Sequence, residues 1–126
     1  MGPNYVLDKG FLALATTPLW TAVKFGSSDD SVTPVTATTD LTLGIAQMSC
    51  AAADAGKLII DVRILGISRC LAGGTITRGQ RVKVTATGTM VATAGADENV
   101  VGIAMGSAVL NDQFDVLLTP GVMRSL

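Results

Sequence analysis

The chain has 126 residues, of which 48% are hydrophobic and 15% charged, and a formal net charge of −1. That length suits one domain around one core, and so small a net charge gives no long-range field to draw in nucleic acid or anionic lipid. Histidine is absent, which removes the usual Ser–His and Cys–His nucleophiles and the histidine-bearing zinc motifs. Aromatic residues make up only 4%, so the core must be built from Val, Ile, Leu and Ala. With charge well below the usual quarter, assembly contacts are expected to hide the excess apolar surface.

Taken in order, Met1-Gly2-Pro3-Asn4 reads as extended chain, because Pro3 fixes φ and donates no hydrogen bond. Tyr5-Val6-Leu7 and Phe11-Leu12-Ala13-Leu14 are short apolar pieces split by Asp8-Lys9-Gly10. The apolar run after Lys9 is shorter than the ~7–15 residues of a secretory core. Synthesis in a reducing cytoplasm is therefore expected, with Cys50 and Cys70 as buried thiols rather than a disulfide. Tyr5, Phe11, Trp20 and Phe25 fall in residues 1–34, which read as an N-terminal arm or extension ahead of a domain over residues 35–126. Those rings either dock on a partner or cap the domain's own core.

Gly26 to Ser31 is a turn by composition and lacks the acidic spacing of a calcium loop. Val32 to Met48 is strand-like, with Leu41, Leu43 and Ile45 alternating. Ser49 to Gly56 suits a loop or one helical turn ending at Gly56. Leu58-Ile59-Ile60-Asp61-Val62-Arg63-Ile64-Leu65-Gly66 is the organising strand, since Leu58, Ile60, Val62 and Ile64 share one wholly apolar face. Burying four such side chains contributes roughly 6–12 kcal/mol, and fixing nine residues of backbone costs about 9–18 kcal/mol. The strand cannot stand alone and must be paired on both edges or stacked on a second sheet. Val82 and Val84 lie on a further strand, Thr87-Gly88-Thr89 forms a hairpin tip, and Met90 to Thr93 returns antiparallel. Gly95 to Asn99 is a polar loop, Val100 to Met105 a strand, and Phe114 to Leu118 the last long strand, closed by Pro120-Gly121.

An internal echo runs through this layout. Leu43-Gly44-Ile45-Ala46 recurs as Val101-Gly102-Ile103-Ala104, and each copy leads to an Asp-Val strand at Asp61-Val62 and Asp115-Val116. The pattern predicts an all-β fold, a small β-barrel or sandwich built from two similar halves. Gly44 and Gly102 inside strands predict a bulge or a close backbone approach.

Chemistry finds little purchase. Asp61 and Asp115 are the best acid–base pair on offer, but each sits in a strand where an Arg such as Arg63 could pair with it. No catalytic residue, cofactor site or metal site is expected. Gly73-Gly74-Thr75 and Gly79-Gln80-Arg81 lack the ending of a P-loop. Arg78, Arg81 and Lys83 make a small basic patch with no interleaved aromatic, so nucleic acid is not an expected partner. No run reaches the ~18–20 apolar residues of a membrane span, so a membrane is not expected either.

The order of a Gly-Ile-Ala strand (Leu43–Ala46), an Ala-rich loop and hydrophobic strand ending in Gly (Ala51–Gly66), a Thr-x-Gly-x-x-Val turn (Thr77–Val82), a Gly-tipped hairpin (Thr87–Thr93), a second Gly-Ile-Ala strand and an Asp-Val strand resembles the capsid cement, or decoration, proteins of tailed bacteriophages. The resemblance spans roughly residues 35–121 and implies a β-tulip-like barrel on the capsid exterior. It implies a homotrimer that clamps neighbouring major capsid subunits, with an N-terminal arm reaching onto the lattice. Asn4, Tyr5, Val6 and Leu7 are then the expected capsid contact. Residues 1–34 are longer and richer in Pro and aromatics than that family suggests. The alternative is a lipoyl-like or adaptor module of the barrel-sandwich type, since Gly74 to Val82 resembles its Gly-x-Ile-x-x-Gly-x-x-Val half-motif. The hairpin tip at Thr87-Gly88-Thr89 lacks the Lys that a carrier domain would present.

Overall fold

A computed structural model describes residues 5–93 and 99–124. The strands are β1 (Tyr5–Ala13), β2 (Ala22–Phe25), β3 (Ser31–Pro34), β4 (Gly44–Ala46), β5 (Ile59–Leu71), β6 (Arg81–Val84), β7 (Met90–Ala92), β8 (Asn99–Ala104) and β9 (Gln113–Arg124), with one 3₁₀ turn at Ala52–Asp54. The all-β expectation holds. The strand order is β1-β3-β2-β4-β5-β9-β8-β6-β7, and β1 also pairs with β5, so the first five members close into a barrel.

The remaining strands form a second ring. It runs from the distal half of β5 through β9, β8, β6 and β7, and a parallel bridge between Ala72 and Met90 returns it to the chain just after β5. That bridge matches the parallel pair of Ala13 with Val32 that joins β1 to β3 in the first ring. The correspondence extends through the whole unit. Phe11 opposes Ile60 in the first barrel as Cys70 opposes Phe114 in the second. Ile45 opposes Arg63 as Ile103 opposes Leu117. Val23 opposes Gly44 as Val82 opposes Gly102. The Gln47 amide donates to the Asp61 carbonyl at 2.8 Å, and the Met105 amide donates to the Asp115 carbonyl at 2.8 Å. The echo read from the sequence is thus a tandem repeat of an entire five-stranded ring, and β5 serves as the last strand of the first and the first strand of the second.

Each ring is filled by its own side chains. The first holds Phe11, Ala13, Val23, Val32, Ala46, Cys50, Ile60 and Val62, with Leu58 and Ile64 packed against them. The equivalent positions of the second are Cys70, Ala72, Val82, Met90, Ala104, Ala108, Phe114 and Val116, all buried in one cluster. Phe beside Ile in the first ring becomes Cys beside Phe in the second, so a large side chain moves to the opposite strand. Both thiols are free and buried, as expected.

The expected arm is placed differently from a free extension. From Tyr5 on, residues 5–34 supply β1, β2 and β3, which make up three of the five walls of the first barrel. Phe11 lies in the core because β1 alternates in register with β5. The strand expected from Val32 to Met48 is broken between β3 and β4. There the Asp40 carboxylate accepts the amides of Thr36 and Ala37, both at 3.0 Å, and folds the segment into a turn. The loop expected at Gly95 to Asn99 lies, but for Asn99, outside the described residues. Pro120-Gly121 does not end β9. The register shifts between Val100–Met123 and Gly102–Leu118, so that pair falls in a bulge where no ladder donor is needed.

Gly44 and Gly102 are the close approaches that the sequence anticipated. A Cβ on Gly44 would collide with the carbonyl oxygen of Arg63, and one on Gly102 with that of Leu117. Neither obstacle is a movable side-chain end. Gly102→Ala should lower unfolding stability by about 2–3 kcal/mol, the scale of core overpacking, in urea melts. Gly106→Ala, which meets nothing within 4 Å, should leave the midpoint within about 0.5 kcal/mol, the scale of neutral surface changes.

Candidate interaction surface

The seam between the rings carries the polar organisation of the molecule. Gly66, with φ of 114°, lies mid-strand in β5, where Tyr5 pairs on one edge and Leu118 on the other. Just before it, Arg63 clamps Asp8 with Nε to Oδ1 at 2.8 Å and Nη2 to Oδ2 at 3.1 Å. Its Nη1 donates to the Ile67 carbonyl at 2.9 Å. One guanidinium therefore ties β1 to both halves of β5, across the irregular register between Tyr5 and Asp8. Gln47 adds a second tie by donating to Ser68 Oγ at 2.8 Å. These groups are satisfied by one another, which marks them as structural.

The best acid–base candidates are not brought together. Asp115 opposes Arg69 and Asp61 opposes Gly10. Arg69 and Asp61 are eight residues apart on β5, roughly 26 Å at about 3.3 Å per residue, far beyond the ~5–10 Å of a carboxyl pair that shares a substrate. Asp115 lies 3.8 Å from Arg69, beside an open pocket of about 240 Å³ lined by Arg69, Met105, Ser107, Gln113 and Phe114. Arg69 also sits over the Trp20 ring at 5.6 Å. Burial pushes the Cys70 thiol far up, with the charge of Asp115 adding to it, so that thiol is no nucleophile. Among the described residues no three His, Cys, Asp or Glu side chains gather to hold a metal. No described helix is long and apolar enough to cross a membrane.

What the surface offers instead is scattered aliphatic and aromatic contact area. Phe25, Ile59, Leu41, Val109, Leu110 and Met105 are exposed. Of the expected contact residues, Asn4 lies outside the described residues, while Tyr5 and Val6 belong to β1, with Tyr5 paired to Gly66. Leu7 is 47% exposed. Arg81 and Lys83 share one face of β6, as their spacing predicted, and the Arg78 amide donates to Ser107 Oγ at 3.1 Å. At the tip Thr87 is exposed but Gly88 is buried, so the tip does not stand clear of the fold as a carrier hairpin requires. The Gly88 carbonyl accepts the Ala22 amide at 3.1 Å, which seats the tip against the first barrel.

One carboxylate shows strong electrostatic tuning. Asp40 accepts a hydrogen bond from Lys24 Nζ at 2.9 Å as well as the two loop amides, and its pKa falls from 3.8 to about 2. The Lys24 bond is the largest cause and the Thr36 amide the next. A depressed carboxylate contributes stability that is complete above its unfolded pKa and lost as pH falls through the folded value. The turn at Thr36–Asp40 should therefore hold at pH 5 and loosen as pH drops from about 4 to about 2. The Asp40 carboxyl carbon followed by NMR should titrate near 2, and Asp40→Asn should remove that transition.

No family model matches the sequence, and no curated protein matches it. Among solved structures, the chain is similar to the crystal structure of the head fiber gp8.5 N base in bacteriophage phi29. The two share 17% identity, the match covers 93% of this chain and 97% of the other, and the TM-score is 0.71. At that identity, and with nearly complete coverage of both chains, the likeness is one of fold.

Proposed function

We propose that this chain is a structural protein of a bacteriophage virion, held on the outside of the head by adhesive contacts. The observation that carries the reading is the match of the whole tandem-barrel fold, over 93% of this chain, to the base of a head fiber. The surface agrees with it. The charged groups near the seam are committed to one another, the best carboxylates lie far apart, and several large aliphatic and aromatic side chains are exposed. Such a surface suits binding, and among the described residues the best carboxylates are not assembled into an acid–base pair.

Within that reading, the chain binds major capsid protein and acts either as a decoration protein that clamps neighbouring subunits or as the base of a longer head-attached structure. The decoration role rests on the sequence resemblance and the base role on the fold match. Weak apolar contacts repeated over several subunits would give strong retention through effective concentration. The adaptor alternative loses support because its would-be carrier tip is seated on the first barrel.

Particles purified on a density gradient from a phage lysate containing the chain should carry it. Immunogold labelling should mark the head surface, and the label should survive a salt wash, since few charges are involved. Recovery of the chain only in the soluble fraction would overturn the proposal. Label confined to the tail would place the protein elsewhere in the virion and remove both head roles.

A further inference from the structure

The tandem repeat contains a docked contact between its halves, and the equivalents of the same two surfaces are exposed elsewhere in the molecule. The docked contact joins the β6–β7 hairpin tip of the second barrel to the turn before β2 in the first. The Gly88 carbonyl accepts the Ala22 amide at 3.1 Å, and a Cβ on Gly88 would meet Thr21 Cγ2 at 2.6 Å. Around it Ala22, Val35 and Ile45 are buried in one cluster with Val84, and Trp20 packs against that cluster.

The equivalent tip in the first barrel is the β2–β3 hairpin, Gly26 to Ser31. Asp30 takes the place of Gly88, and both have positive φ, 58° and 82°. Phe25 takes the place of Val84, but it is 60% exposed where Val84 is 1% exposed. The equivalent seat in the second barrel is the turn before β6, where Gly79 replaces Trp20 and Arg81 replaces Ala22. Gly79 has the same left-handed backbone as Trp20, φ of 91° against 63°.

The substitutions between the docked pair and the free pair are complementary. Trp20 with Val84 becomes Gly79 with Phe25, so the bulk moves from seat to tip. Ala22 with Gly88 becomes Arg81 with Asp30, so two small neutral residues become opposite charges. Asp29 adds a second exposed carboxylate to the tip, and Arg78 a second cation beside the seat. Asp30 already pairs with Lys9 at 2.9 Å, but both side chains are at least half exposed, and such pairs contribute little.

We infer that a second copy of this chain docks head to tail, with the Gly26–Ser31 hairpin of one copy seated on the Arg78–Arg81 turn of the next and Phe25 filling the space over Gly79. The contact is heterologous, so copies close into a ring if the rotation permits and otherwise run on as a fibre. The inference does not depend on location in a virion and fails or stands separately from it.

Sedimentation velocity on the full chain, from roughly micromolar to millimolar concentration, tests it. The wild-type chain should associate, and association should weaken with added salt. Arg81→Glu and the double variant Asp29→Lys, Asp30→Lys should each be monomeric with an unchanged circular dichroism spectrum. Mixing the two should restore association, because each keeps one intact half of the contact. Phe25→Ala, at a side chain 60% exposed, should weaken association at least about tenfold, a typical effect of losing a central aromatic anchor. A wild-type chain that stays monomeric over the whole range would overturn the inference. So would an oligomer that all these variants leave unchanged, which would place the contact on another face.

Discussion

A single strand belongs to two barrels at once, and the rest of the molecule follows from that sharing. β5 uses one edge for β1 and the other for β4 and then β9, and Ala72, just past its end, bridges Met90 to close the second ring. β5 is thus paired on both edges from Asp61 to Arg63 and at Gly66, and on the β9 edge from there to Leu71, as the energetics of an isolated apolar strand demand. Gly66 lets the strand change direction where one ring hands over to the next, and Arg63 fixes the angle by holding Asp8 on one side and the Ile67 carbonyl on the other. Neither barrel can be removed without exposing an edge of the other.

Sharing a wall also explains how a chain so poor in aromatic residues makes a firm core. Each ring is narrow, and small or β-branched side chains fill it: Ala13, Val23, Ala46 and Val62 in one, Ala72, Val82, Ala104 and Val116 in the other. Three of the five aromatic side chains pack in or against these cores. Phe11 and Phe114 fill equivalent layers from opposite strands, and Trp20 packs where the two barrels touch. The two rings differ in their core residues while their strand pairing keeps the same register.

Much of this was legible beforehand, and the reasons are local. Ile60 and Val62 are fully buried because strand alternation is a property of the backbone, visible in any window of a few residues. The twinned Gly-Ile-Ala strands were visible because Gly44 and Gly102 meet a neighbouring carbonyl, a constraint only glycine satisfies. The 3₁₀ turn ahead of Gly56 followed from short, small-residue sequence. The role of β1 was hidden, because its partners Leu65 to Ile59 lie about fifty residues away and nothing in Tyr5 to Ala13 announces a nonlocal edge. The break after β3 was hidden too, since it depends on where the Asp40 carboxylate points and not on hydrophobic pattern. The full repeat was half seen: the Gly-Ile-Ala echo was visible, whereas Phe11 against Cys70 and Trp20 against Gly79 carry the same roles in unlike residues.

The central claim is that both barrels are one cooperative unit because β5 builds a wall of each. Native-state hydrogen exchange on the β5 amides tests it most directly. The account predicts that protected amides on both sides of Gly66, around Val62 and around Cys70, open with the same free energy and the same denaturant dependence, equal to those of global unfolding. Opening of the segment after Gly66 at clearly lower free energy, with the first half still protected, would show two barrels that merely adjoin and would contradict it.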